Sequence, residues 1–516
     1  MAMMESAAES TITEALVQLP LREAVLTGAF FSARHIDMAE RVAGLPHLPA
    51  ATALAAWFGS ALAMRLIADP EARRGALDRD IAAIDALIGE QLDAVLHHPL
   101  MQKLEGRWRG LAWLVEGIDP ASRVKVKLLS LSWAELCRDL ERAAEFDQSH
   151  LFRKVYEEEF GSPGGEPYGL VVVDHELRHR PSVGFATDDV AALSALSGIA
   201  AASFTPTVLG ASPAMLGVDA FFELGTVSDP ATVMAGAEYA RWRSIAGRDD
   251  ARFLAVVLPH LLARPPWSDD PARADGFRYA EDASAEGDRV WMNAGYAFAA
   301  IVARAFTQHA WPADVRGSET DRVGGGLVDA LVQEAFTTDR GFAAVRPALD
   351  VILTDRQERA LVDAGLMPLS AMPFGEEAVF GAVRSLQAPA RFSGTNAAAA
   401  NANARLSAQI NSMLCVSRFA HYLKVMGRDM VGSMLTAEEI EHRLQTWLSG
   451  FTNTNMKSGS EVRARYPLVN GKVMVKERPG RPGVYGCVIQ LQPHFQLDDV
   501  SATFRLVTDI AAPGMR

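Results

Sequence analysis

Residues 168–181 read YGLVVVDHELRHRP, and how this stretch divides decides the fold. Tyr168–Val173 is apolar almost throughout, carries three successive valines and follows the turn-rich run Gly161-Ser-Pro-Gly-Gly-Glu-Pro167. That composition predicts a buried strand. The next five residues, His175-Glu176-Leu177-Arg178-His179, match H-E-x-x-H. On a helix such a pair of histidines shares one face and grips zinc, with the Glu as general base. Here the motif continues straight out of the strand, Pro181 follows two residues after the second His, and no third ligand comes at metzincin spacing. The reading is a polar strand-to-helix connection, with a zinc metallohydrolase as the alternative from another class.

Outward from this strand, Phe204–Leu209, Phe253–Leu258 and the alternating Val124–Leu131 (VKVKLLSL) also read as strands. Between them Asp229-Pro230 offers an N-cap with Pro at the first helical position, Gly247 a stop, and Ser212-Pro213 repeats the device. Strands alternating with helices predict an α/β middle domain over 97–370. Residues 1–96 read as an Ala-rich helical region. Its segment 50–67 is apolar on nearly every side, which predicts burial in a core or a partner. Ile81, Ile84, Leu87, Ile88, Leu92 and Val95 follow helical spacing until His97-His98-Pro99. Pro, Gly, Ser and Asn thicken over 371–403, a predicted loop or hinge. The remainder, 404–516, opens with a helix over about 404–430, then a second helix capped by Thr436 and Glu439 and stopped at Gly450. Over the whole chain the class is α/β shading into α+β.

The 516 residues suffice for two or three cores, and 49% hydrophobic against 22% charged residues is a folding composition. Lys and Arg total 50 against 63 Asp and Glu, net −13, with no basic tract, which argues against nucleic acid as a partner. Cys137, Cys415 and Cys487 lie far apart, so neither a disulfide framework nor a cysteine zinc module is expected. The start MAMMESAAES has no secretory pattern, and the longest uncharged run, between Asp189 and Asp219, is broken by Gly210, Pro206 and Pro213. A cytoplasmic protein with no membrane insertion is predicted. Gly161–Gly169 precedes a strand instead of a helix, and Gly324–Gly326 follows no strand, so both read as turns and not phosphate loops. Gly210-Ala-Ser212-Pro-Ala214 lacks the second Gly of a nucleophile elbow, and Cys415 and His421, at i, i+6, face different sides of a helix. No catalytic, cofactor-binding or metal-ligating residue is assigned.

Several long blocks resemble the large sheath subunit of the bacterial type VI secretion system, the TssC/VipB family. They are LHHPLMQKLEGRWRGL at 96–111, EEFGSPGGEPYGLVVVD at 158–174, AEYARWRS at 237–244, FRYAED at 277–282 and NAGYAFAA at 293–300. NANARLSAQINSMLCVSRFAHYLKVMGRDMVGS at 401–433, RARYPL at 463–468, PGRPGVY at 479–485 and PHFQLDDVSATFRLV at 493–507 complete the series. The resemblance implies a non-enzymatic role. In the family, this subunit pairs with a small sheath subunit. The heterodimers stack as a six-start helical polymer around an inner-tube hexameric protein, assembly begins at a baseplate, and a AAA+ ATPase dismantles the contracted form. It also implies a C-terminal domain like that of phage tail sheaths, with interlacing β-strands. Residues 1–75 depart from the family pattern, which leaves a sheath-like adaptor that does not polymerise as a further alternative.

The end of the chain fits that implication on its own residues. Lys472–Glu477, Val484–Leu491 and Val500–Thr508 read as three strands, too few for a sheet with protected edges. An open edge is a hazard in a monomer and a joint in a polymer. The predicted intersubunit layer comprises Val473, Val475, Val484, Val488, Val500, Phe504 and Leu506.

Overall fold

The computed structural model describes residues 21–27, 36–162, 164–318, 323–337, 343–372, 375–394, 397–430, 435–455, 459–477, 485–494 and 504–510. Val484 and Val500 lie outside them. The chain forms two compact units, one of residues 1–102 with 266–289 and one of residues 103–265 with 290–516.

The first unit is helical, with α1 (Leu21–Leu26), α2 (Ile36–Gly44), α3 (Ala50–Phe58), α4 (Ser60–Ala68) and α5 (Pro70–Leu96). Asp69 begins α5 by accepting the Glu71 and Ala72 amides, with Pro70 at the first helical position. A small core gathers Leu21 and Ala24 against Val25, Val42, Leu45 and Trp57. Beside it the buried Asp80 carboxylate accepts from Arg22 at 2.7 Å and from the Trp57 indole at 2.9 Å, which answers its loss of water. The apolar stretch 50–67 is two helices broken at Gly59, whose φ is +81°. It is buried on one side only: Trp57 joins the small core and Ala63 and Leu66 are buried, while Leu62, Met64 and Ile67 are exposed. Residues 266–289 lie against α5, where Tyr279 donates to Asp93 at 2.6 Å. The sequence gives no sign that this segment, nearly two hundred residues downstream by number, belongs with the helical region.

Helix α6 (Pro99–Glu116) leads into the second unit, followed by α7 (Trp133–Arg142). A parallel sheet runs β1 (Val171–Leu177), β2 (Thr207–Ala211), β3 (Leu254–Leu258) and β4 (Met367–Pro368) in that spatial order. Every residue of β2 and β3 is buried, as continuous apolar runs in a covered parallel sheet require. Helix α8 (Asp189–Ser203) connects β1 to β2, and α9 (Ala294–His309) packs across β1, β2 and β3. Asn293 caps α9 by accepting the Gly295 amide at 2.8 Å and sits over Gly210, where a Cβ would come 2.5 Å from the Asn293 amide nitrogen. The stretch expected as a strand at 124–131 joins no ladder: it carries neither helix nor strand, and its backbone from Lys125 to Leu131 bonds to no other described backbone. Within 371–403, expected as a loop or hinge, Phe380, Val383 and Leu386 are wholly buried and Ala397–Ser407 is helical.

The C-terminal part joins the same core. Helices α10 (Ile410–Met430) and α11 (Ala437–Ser449) bring Phe419, Tyr422 and Trp447 together with Trp311 and Phe451, with Trp311 stacked on Phe419 at 4.0 Å. An antiparallel sheet of β5 (Leu468–Glu477), β6 (Tyr485–Pro493) and β7 (Phe504–Ile510) then packs on α11.

Candidate assembly interface

The H-E-x-x-H residues fall mostly on β1, so the histidines do not share a helical face. A register shift between Val173 and Glu176 bulges the strand there and re-aims its side chains. His175 stacks on Trp133 at 4.0 Å and meets Asp189 at 3.1 Å. Glu176 instead reaches His260 at 3.1 Å. His179 stacks on Tyr239 at 4.1 Å, and neither of its ring nitrogens has a hydrogen-bond partner. Burial and the Arg180 charge push its pKa down, so it stays neutral. Among the described residues, no three His, Cys, Asp or Glu side chains are placed to hold a metal ion.

What β1 does build is a charged knot that sequence reading missed. His260 Nδ1 lies 2.8 Å from Asp350, and Nε2 faces Glu176. Burial opposes charge on the ring, but the two carboxylates outweigh it and push the His260 pKa up to about 10. Both nitrogens therefore carry hydrogens and donate. An imidazolium clamped this way has no lone pair to offer as a general base. The carboxylates respond differently. Glu176 is held below the usual range, where burial is outweighed by His260, whereas in the more buried Asp350 the desolvation wins and the pKa rises. The knot ties β1 to the segments after β3 and before β4 across 84 and 90 residues, a spacing that no local motif encodes. Burial likewise raises the thiols of Cys137, Cys415 and Cys487 to about 12 and lowers His421 to about 3. None of these is primed as a nucleophile or base at neutral pH.

The expected intersubunit residues are divided by the C-terminal sheet. Val473 and Val475 point into the chain's own core with Cys487, Ile489 and Leu491, beside Ile440, Leu444 and Leu448 of α11. Their side chains are thus backing for the sheet and not an outward layer. Strand alternation leaves Val488, with Gln490 and Gln492, half-buried on the other face. Phe504 and Leu506 stand in register with Leu491 and Ile489.

The two outer strands are not equivalent. Along β5 the outward backbone is already answered by α11. Gln445 donates to the Gly471 carbonyl at 2.9 Å and accepts the Val473 amide at 2.8 Å, and Glu441 accepts the Val475 amide at 2.8 Å. Residues 441 and 445 are one turn apart, so a single helix face blocks one edge of the sheet. Beyond β7 the sheet has no further strand among the described residues.

Comparison with known proteins agrees with this architecture. The EvpB/VC_A0108 tail sheath N-terminal domain matches residues 78–387, and the tail sheath gpW/gp25-like domain of the same proteins matches 399–510. A curated relative, the type VI secretion system sheath protein TssC1 of Pseudomonas aeruginosa, is 34% identical over 435 residues, 83% of this chain and 85% of that protein. The chain belongs to the VipB/EvpB tail sheath family of type VI secretion. Among solved structures, the baseplate of the anti-feeding prophage superposes with a TM-score of 0.33 at 11% identity, covering 73% of this chain and 83% of that one. A sheath tail protein of Desulfitobacterium hafniense gives 0.28 at 11%, covering 62% and 60%. At such scores neither adds to the assignment.

Proposed function

We propose that this chain is the large structural subunit of a type VI contractile sheath. It pairs with a small sheath subunit, the pairs stack in a six-start helical polymer around a hexameric inner tube, and contraction expels that tube. The observation that carries this is the match of both sheath domains, in order, over 78–387 and 399–510. Assembly from a baseplate and recycling by a AAA+ ATPase, in the bacterial cytoplasm, complete the reading. No helix among the described residues is long and apolar enough to cross a membrane, which is compatible with it.

The physics asked of such a subunit is a switch between two packings, not a reaction. A neighbour's strand adding beyond β7 would continue the antiparallel ladder at the strand that carries Phe504 and Leu506. These two stand in register with the inner row that holds Val473 and Val475, while Val488 lies on the opposite face and Val484 and Val500 complete the proposed joint. The test is electron microscopy of the chain co-expressed with the small sheath protein of its own gene cluster. Hollow tubes are expected, and Phe504→Asp is expected to abolish them while the parallel sheet stays folded. A soluble heterodimer that never polymerises would favour the adaptor role, and no complex at all would overturn the proposal.

A further inference from the structure

Residues 124–131, Val-Lys-Val-Lys-Leu-Leu-Ser-Leu, join α6 to α7 without helix or strand, and Lys125 and Lys127, two apart, both reach the 159–168 segment, the side-chain repeat of extended chain. From Lys125 to Leu131 no backbone amide or carbonyl bonds to the backbone of another described residue. Val126, Leu128, Leu129 and Leu131 are 46%, 63%, 58% and 45% exposed, a run of large apolar side chains that water does not favour. The segment is nevertheless held at both ends. Lys125 pairs with Glu166 at 2.6 Å, while Lys127 pairs with Glu159 at 2.5 Å and lies 5.0 Å from the Tyr168 ring. At the other end Ser132 and Glu135 form a capping box on α7, and Trp133 is stacked on His175. A backbone fixed in this way, with no partner among the described residues, is pre-organised for one.

An occupant must supply hydrogen-bonding groups at the two-residue repeat of a strand together with apolar side chains. A helix keeps its backbone groups to itself, and only a second extended segment meets both demands. The geometry points to residues 124–131 as a docking strand that receives a β-strand from the small sheath partner. This rests on the sheath reading above. A second copy of the segment fits poorly, because self-pairing about a dyad makes a contact that closes on two subunits, whereas a sheath grows by contacts that do not close. Strand β5 fits poorly too. Its edge is taken by Gln445 and Glu441, and its exposed Lys472 and Lys476 would join Lys125 and Lys127.

The test is hydrogen–deuterium exchange on the full chain in its purified complex with the small sheath protein, with a benzophenone probe placed at position 128 in a parallel preparation. Every second amide across 125–131 is expected to exchange about 100-fold more slowly than an unprotected one, since an edge strand turns alternate groups to its partner. The probe is expected to crosslink to the small protein. Leu128→Pro, which removes one amide, is expected to lose the complex, whereas Leu128→Ser retains it, with β2 and β3 protected in both. Tubes or complexes that form while 125–131 exchanges freely would overturn the docking strand and leave the sheath reading intact. Crosslinks to another copy of this chain would overturn the choice of occupant. A chain that makes neither complex nor tube would overturn both.

Discussion

The blocked edge of β5 lends itself to a direct test by replacing Glu441 and Gln445 with Ala together. Three hydrogen bonds disappear: two through the neutral Gln445 amide, each worth about 1 kcal/mol net, and one to the Glu441 carboxylate worth about 2 kcal/mol. Alanine returns roughly 0.5 kcal/mol through its better helix propensity. The net expectation is a loss of about 3.5 kcal/mol, read as a lower urea midpoint with little change in slope. Freed amides at Val473 and Val475 also leave the edge able to pair, so light scattering is expected to report more self-association than in the parent chain. Glu441→Gln keeps an acceptor on the same helical turn and is expected to lose no more than about 1 kcal/mol. If the double variant unfolds within about 1 kcal/mol of the parent and stays as monodisperse, then α11 does not guard this edge.

Four further outcomes are expected. His260→Leu leaves Glu176 and Asp350 without their cation and is expected to cost about 3–5 kcal/mol, at the lower end because Glu176 is 38% exposed. In the parent chain, the raised His260 pKa means its contribution is complete below the unfolded value near 6.5 and fades as pH rises towards about 10, so the stability curve of the variant is flatter over that window. Phe419→Ala empties the aromatic cluster and is expected to lose about 3–5 kcal/mol, with the near-ultraviolet dichroism of Trp311 and Trp447 diminished. Gly110→Val is expected to prevent soluble expression, since even a Cβ there would lie 2.5 Å from the Tyr296 ring, and Gly106 one turn earlier faces the Trp291 carbonyl as closely. Finally, the three thiols are expected to resist alkylation in the folded chain and to react in urea, because all are buried and held protonated.

The sequence by itself determined the elements whose signals are local. Three successive valines opened β1, although the strand runs on to Leu177 where a connection was expected; the Thr436–Glu439 capping box began α11, and Gly450 closed it. The same locality allowed His175-Glu176-Leu177-Arg178-His179 to be set aside as a metal site, because extended chain spreads i and i+4 about 13 Å apart, whereas a helix stacks them one above the other. Family blocks spread along most of the chain fixed the kind of protein. Only the tertiary structure decided what depended on distant partners. The alternation in VKVKLLSL suited a strand, but a ladder needs a second backbone to bond with, and among the described residues none bonds to it. The same blindness applied to Val473 and Val475. Their period-2 pattern separated two faces, and which face was inward was settled by α11 packing on one of them. His260, Asp350 and Glu176 meet from segments some ninety residues apart, and Gln445 answers an amide 28 residues away. Hydrogen bonds and burial at such separations are properties of the folded contact map, which composition and spacing along a chain do not contain.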